Sequence, residues 1–463
     1  MKKLAGIGFK LRKMMRKESL ILDIAAVLCS VLITSGPWVI SSAYLFWILT
    51  TFKSVSGFFL GVVTYSFIFS MMIVGAFSFL LMRHLADLLF LKNYKGIFGT
   101  YKASLFIVLT ISLLASGIFF VVNNQYTSRE IILGIYTFLA VSVIWVDVVF
   151  LEVVENYLSV IVSFLVGFSS AIMLSFSLKD KPLGLLIAFD FGVLIILFML
   201  SFLLLRSFGT EGKTNFELIK AARKYPENPF IGIFYYAAVW IDDLIAWKFF
   251  GKEIAPGFYF AKEYDMPMFL AYIFIIPTLA LFVLLIETEF YADYKAFYSN
   301  IISNKKLDEI ELQHKRLQSS LTYSLRVIWV MQLVVFIIGM LVSPLLSAHI
   351  FKSDMATFVF KTGLFGSSMN AIFLTYLLIV LYFDYRKLAL RGTLFVFFSN
   401  FVISFATMKN FPGVGFAISF SLGVVYFMMH FNIKNLLYIT FAKQSSGLEK
   451  TTISLKKIGG TRK

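Results

Sequence analysis

The stretch Leu183–Leu205, LGLLIAFDFGVLIILFMLSFLLL, decides the fold, because along its whole length only Asp190 and Ser201 carry polar side chains. At 1.5 Å per residue it is about 34 Å long as a helix, enough to cross a hydrocarbon core of about 30 Å. Eleven further stretches read the same way. With this one they place twelve membrane spans at 20–50, 58–82, 103–122, 131–151, 157–178, 183–205, 229–249, 266–286, 321–347, 361–382, 392–408 and 413–433. The apolar runs are continuous rather than alternating, which excludes a β-barrel.

Composition agrees with this reading. The 463 residues are 59% hydrophobic and 15% charged, with mean hydropathy +0.84. A soluble domain holds roughly 45–50% apolar and about 25% charged residues. The single cysteine, Cys29, lies in the first span, so no disulfide framework exists. Lys2, Lys3, Lys10, Arg12, Lys13, Arg16 and Lys17 precede that span. Its run from Leu20 to Leu49 is too long for a cleaved leader, so it reads as an uncleaved first helix.

Most of the 42 Lys and Arg residues fall on the side of the N-terminus. By the positive-inside rule both termini are expected in the cytoplasm. The net charge of +16 is then assigned to topology and anionic lipid, with no nucleic-acid partner. The longest central polar connection divides the chain into an N-lobe (1–205), a cytoplasmic linker (206–228) and a C-lobe (229–463). Within the C-lobe, 287–320 is a cytoplasmic or interfacial helical segment. There Phe290, Tyr294, Phe297 and Ile301 share one face, opposite Asp293, Lys295, Asn300 and Asn304. That pattern suits either a helix lying in the membrane interface or an extension of the eighth helix packed on a neighbour.

Prolines mark the spans expected to bend or gate. These are Gly36-Pro37-Trp38 in the first, Pro277 in the eighth and Pro344 in the ninth. Acidic residues inside spans are costly and therefore functional candidates: Asp147, Asp190, Asp242 and Asp243. In the seventh span Tyr236, Trp240, Asp243 and Trp247 fall at i, i+4, i+7 and i+11, so three rings and a carboxylate share one stripe. Asp242 is turned about 100° away. Rings offer flat surfaces to sugar C–H faces and attract cations, and a carboxylate binds hydroxyl or amino groups. The alternative is an interfacial aromatic belt with the acids paired to Lys248 or Lys252. The four histidines are scattered, and no phosphate loop, nucleophile elbow or metal-spaced cluster occurs. No catalytic residue, metal or cofactor is expected.

Several stretches carry a resemblance: Ala5-Gly6-Ile7-Gly8-Phe9-Lys10-Leu11-Arg12-Lys13; Ser35-Gly36-Pro37-Trp38-Val39; Trp240-Ile241-Asp242; Tyr264 to Tyr272; Ile276-Pro277; and Glu287-Thr288-Glu289-Phe290-Tyr291 with Phe297-Tyr298. In order and spacing they resemble the PelG family, the inner-membrane component of Pel exopolysaccharide systems. In that family the Asp of Trp-Ile-Asp is often followed by a basic residue, where this chain has Asp243. The resemblance implies an all-α integral membrane protein of the multidrug/oligosaccharidyl-lipid/polysaccharide exporter (MOP) superfamily, with two six-helix lobes around a central cavity. It implies export of a cationic amino-sugar polymer across the bacterial cytoplasmic membrane, in biofilm formation. Expected partners are Pel-type membrane subunits (PelD and PelE) and the cytoplasmic glycosyltransferase PelF, with cyclic di-GMP associated with PelD. The acids and aromatic residues would line the substrate path or couple a cation. A lipid-linked oligosaccharide flippase, a cation-coupled drug exporter or a non-transporting scaffold for a polysaccharide synthase are the other readings the same features allow.

Overall fold

A computed structural model of the chain describes residues 20–52, 55–152, 157–209, 211–303 and 305–431. The basic N-terminal run with the Ala5–Lys13 motif lies outside the described residues. Among the described residues, ten helices are long and apolar enough to cross a membrane. With α1 (Leu20–Thr51) and the seventeen-residue final helix α15 (Val414–His430), they make the twelve expected spans.

The first half continues with α2 (Gly57–Phe90), α3 (Tyr94–Val122), α4 (Ser128–Glu152), α5 (Tyr157–Leu178) and α6 (Gly184–Phe208). Its buried residues form one core, into which the short linker helix α7 (Glu217–Lys224) also packs through Leu218 and Ala221. The second half comprises α8 (Glu227–Phe250), a hairpin of β1 (Lys252–Ala255) and β2 (Phe258–Phe260), then α9 (Lys262–Ile273), α10 (Ile276–Leu284), α11 (Tyr291–Ile302), α12 (Leu307–Leu346), α13 (Asp354–Tyr382), α14 (Arg386–Thr407) and α15. A second core joins α8, α9, α13, α14 and α15. We refer to the α7 side as the linker face and to the β1–β2 side as the hairpin face.

The prolines act differently from one another. Pro277 sits in the first turn of α10, directly after the break that ends α9, where a missing N–H costs nothing. Helix α1 runs unbroken through Pro37, and α12 continues past Pro344 into a π-helical turn at Ser347–Phe351. The segment 287–320 packs against its neighbours. The eighth span runs through a π-helical turn, Leu285–Phe290, into α11, whose Phe297 and Ile301 are buried with Ile310, Leu317 and Leu321 of α12.

Small residues set how closely helices meet. Helices α5 and α6 touch through Gly167 and Gly192, where an added Cβ on Gly192 would lie 2.6 Å from the Gly167 carbonyl oxygen. Backbone on both sides leaves no flexible group to yield. We therefore expect Gly192→Val to destabilise the fold by about 1–3 kcal/mol, the usual cost of overpacking. Thermal unfolding in detergent should show a clear fall in Tm, whereas Gly117→Ala, which opens onto empty space, should leave it unchanged.

Candidate functional site

Helix α8 places most of the candidate residues. Glu227 opens it and Lys248 closes it, charges that complement the helix dipole at each end. One face is pressed against α2. Gly232 meets the backbone of Gly75 and Ala76, and the ring of Tyr236 lies on Gly75. Three turns on, Trp247 stacks on Tyr65 with ring centroids 4.7 Å apart and planes 5° from parallel. Tyr236 and Trp247 of the aromatic stripe thus lie on the seam between the halves. Asp243 falls between them by register, only 5% exposed, with its Oδ2 lacking a hydrogen-bond partner. Trp240 turns instead toward Tyr272 of α9, 6.4 Å between centroids.

Asp242 is fully buried inside the second half. It accepts from the Tyr264 hydroxyl at 2.6 Å and from Asn400 Nδ2 at 3.3 Å. Asn400 also donates to the Ala238 carbonyl at 2.8 Å and accepts from Ser404 at 2.7 Å, which fixes its orientation. Asp265, the third carboxylate of the group, accepts from Trp247 Nε1 at 2.9 Å and from the Ala261 N–H at 2.8 Å. Among the described residues none of the three acids pairs with a basic side chain. Lys248 does not pair with the acids as a belt arrangement would require; it lies over the Phe405 ring instead.

The first half holds its own two acids. Asp147 accepts from Tyr101 at 2.7 Å and from Ser201 at 3.1 Å, bridging α3, α4 and α6. Asp190 accepts from Thr137 at 2.7 Å, and its other oxygen is unpartnered. In this conformation Asp147, Asp190 and Asp242 bond within their own halves, and only Asp243 shares the seam face.

Among the gating candidates, Trp38 approaches Phe269 at 5.9 Å, one contact between the halves on the α1 side. Helix α1 also packs along α10, next to Pro277. Gly36 faces Ile161 of α5. Pro344 lies away from this seam, beside the second π-helical turn.

Two clasps close the seam at its ends. At the linker face Tyr225 donates to Asp87 at 2.9 Å, while Arg83, Lys224 and Arg386 lie within 5.3, 4.7 and 4.8 Å of its ring centroid. Arg386 also approaches Glu227 at 3.5 Å and Asp384 at 2.9 Å. The cluster joins α2, α7, α8 and α14. Partly exposed ion pairs contribute about 0–1 kcal/mol each and cation–π contacts about 0.5–1 kcal/mol, so this clasp is reversible at modest cost.

At the hairpin face, Phe258 inserts among Phe58, Tyr65, Phe119 and Tyr126 of the first half. Tyr126 donates to the Pro256 carbonyl at 2.6 Å. Burial, with Glu130 and Glu253 nearby, pushes its phenol pKa up, so it stays a donor. The sequence reading missed this hairpin, Tyr264, Asp265, Asn400 and the Tyr225 cluster. The Pro256-Gly257 pair was the available signal, since Pro-Gly marks a turn and Gly257 takes φ +76°.

Two six-helix halves meet along paired seams, an architecture shared with solved structures of membrane proteins. The fold is similar to an outward-facing multidrug resistance MATE family transporter of the MOP superfamily. That match has TM-score 0.58 at 12% identity, covering 94% of this chain and 97% of that one. An inward-facing MATE family transporter gives 0.53 at 14%, covering 88% and 95%. A MOP superfamily transporter from Pyrococcus furiosus, described as having a binding pocket of reverse polarity, gives 0.51 at 12%, covering 89% and 96%. Residues 4–441 match the family described as "PelG: Putative exopolysaccharide Exporter (EPS-E)", and the chain belongs to that family. Among curated proteins, no sequence matches it. Family and fold together support a transporter role, and the exporter family implies a polysaccharide substrate.

The hairpin clasp makes a direct test possible, because Asn123 lies under Gly257. With Cys29 replaced by Ser and Asn123 by Cys, maleimide labelling from the hairpin face should be slow. Adding Phe258→Ala should speed it about tenfold, as roughly 1.4 kcal/mol is removed from the closed state. An unchanged rate would mean that the knob does not hold the hairpin down.

Proposed function

We propose that this protein exports a nascent exopolysaccharide, a Pel-like cationic amino-sugar polymer, across the bacterial cytoplasmic membrane. The linker face and both termini lie in the cytoplasm, and the halves rock apart along the α2–α8 and α1–α10 seams. The observation that carries the reading is the stripe of Tyr236, Asp243 and Trp247 along the α2–α8 seam, in a chain of the exporter family. Rocking that parts Trp247 from Tyr65 would bare two flat rings and a carboxylate to a passing sugar chain, suited to pyranose faces and to free amino groups.

Asp243 is also the residue most in need of a counter-ion. An ionised carboxylate nearly removed from water, with one oxygen unpartnered and Asp242 and Asp265 within electrostatic reach, costs several kcal/mol. A proton or a monovalent cation answers that charge while the seam is closed, and an ammonium group of the polymer answers it when the seam is open. Asp147 and Asp190 are assigned the equivalent duty in the first half, where Asp190 keeps a free oxygen. Gly36, Pro37, Trp38 and Pro277 lie along or beside the α1 seam that must give way; Pro344 is assigned to the bend at the end of α12. Pel-type membrane subunits and a cytoplasmic glycosyltransferase supply the polymer and its push.

The test is secretion of polymer from cells carrying the matching synthase. Asp243→Asn should lower secreted polymer at least about tenfold with membrane levels of the protein unchanged, as loss of a charge contact worth roughly 1.5–3 kcal/mol implies. Wild-type secretion by this variant would remove Asp243 from the mechanism. Accumulation of lipid-linked oligosaccharide in a null strain, or loss of drug resistance with normal polymer, would move the substrate to the flippase or drug-exporter reading.

A further inference from the structure

Helix α12 is 40 residues long, about 60 Å, twice what the hydrocarbon core requires. Its apolar half begins near Leu321 and continues to Leu346; the half before it is polar. One exposed stripe runs down both. Val330, Leu333, Ile337 and Leu341 are exposed large apolar residues, as a lipid-facing stripe should be. Followed backward at helical spacing, the same stripe reaches Arg326, Tyr323, Ser319, Arg316, Lys315 and Leu312, all exposed. Where the helix leaves the apolar region, Leu312, Lys315, Arg316, Ser319 and Tyr323 line a groove of about 580 Å³ against α11.

Lys315 and Arg316 form no ion pair or hydrogen bond among the described residues. The acid lining the same groove, Asp293, accepts instead from Gln313 Nε2 at 3.3 Å. From Lys315 to Tyr323 is about 12 Å along the axis, spanning the depth of a headgroup layer of roughly 5–8 Å and its edge. The groove therefore offers two unpaired cations, a serine and a phenol at headgroup height. Past the exposed Arg326, one turn further along the same stripe, lies an apolar track on which acyl chains can rest.

We propose that this groove is a binding site for an anionic phospholipid. Lys315 and Arg316 hold the phosphate, Ser319 and Tyr323 donate to its oxygens or to the glycerol, and the acyl chains lie along Val330, Leu333 and Ile337. The site abuts the α11–α12 core and the π-helical turn that ends the eighth span, so an occupied groove braces the helix that also forms the α1 seam. Lipid binding here does not depend on the export reading, and it is measured without transport.

The experiment is native mass spectrometry of the full-length protein in detergent, titrated with phosphatidylglycerol or phosphatidylcholine. We expect phosphatidylglycerol to be retained at least about tenfold better, and the Lys315→Gln/Arg316→Gln double variant to lose that preference. The charge-keeping swap Lys315→Arg/Arg316→Lys should retain it, which separates loss of the site from loss of fold. Equal retention of the two lipids, or a double variant that still prefers phosphatidylglycerol, would overturn the proposal. Displacement of the lipid by millimolar inorganic phosphate would overturn it too, by reducing the groove to a site for free anions.

Discussion

The contact of α2 with α8 is what the rest of the structure is arranged around. It is made at backbone distance, because Gly75 and Gly232 present no side chain where the helices cross. Lipid tails are as apolar as leucine, so helices in a bilayer gain little from burying apolar surface. They associate through close packing and polar contacts instead. A seam built on two glycines and flanking rings obtains its attraction from dispersion over a narrow strip, and that strip can part without stranding a backbone N–H or carbonyl. The two clasps at its ends differ in kind. One is apolar and aromatic, with Phe258 as its knob; the other is a ring among three cations with three carboxylates close by. Each can be released without the other.

The carboxylates follow a consistent rule. Each of Asp147, Asp190 and Asp242 receives at least one hydroxyl from another helix: Tyr101 and Ser201, Thr137, and Tyr264 respectively. None receives an ammonium or guanidinium group. Neutral donors satisfy a carboxylate oxygen without supplying the opposite charge. A lysine placed beside any of them would instead supply that charge in a permanent ion pair. The partnering is therefore tight in geometry and open in charge.

Much of this was legible in the sequence, and what was not has physical reasons. Span number followed from apolar length, since a bilayer permits few alternatives, and among the described residues each of the twelve expected spans falls on helix, the eighth with one break. The stripe of Tyr236, Asp243 and Trp247 followed from helical periodicity, although periodicity alone could not say that its partner would be α2. Trp240 departed from the stripe to meet Tyr272 of α9, a residue on another helix that periodicity within α8 does not reveal. Asp265 went unrecognised because the apolar run begins after it; the helix begins earlier, at Lys262, and carries it inward. Asn400 and Tyr264 are ordinary polar residues in apolar company, and only long-range packing turns them into the partners of Asp242.

The same reasoning separates the two ends of the eighth span. At its start, Asp265 is tied to Trp247 and to the Ala261 N–H, so the hairpin, the α8 stripe and the α9 entry are mechanically one piece. At its end, the π-helical turn Leu285–Phe290 joins the span to α11, whose Phe297 is fully buried against α12. Between them lies the break after Ile273, where Pro277 removes a donor that would otherwise lack a partner. The span is thus held at both ends and interrupted between them. Helix α10 packs along α1, and Trp38 meets Phe269 shortly before the break, so the interruption lies beside the α1 seam. The hairpin face and the linker face are thus connected through a single span whose helical hydrogen bonding is interrupted between them.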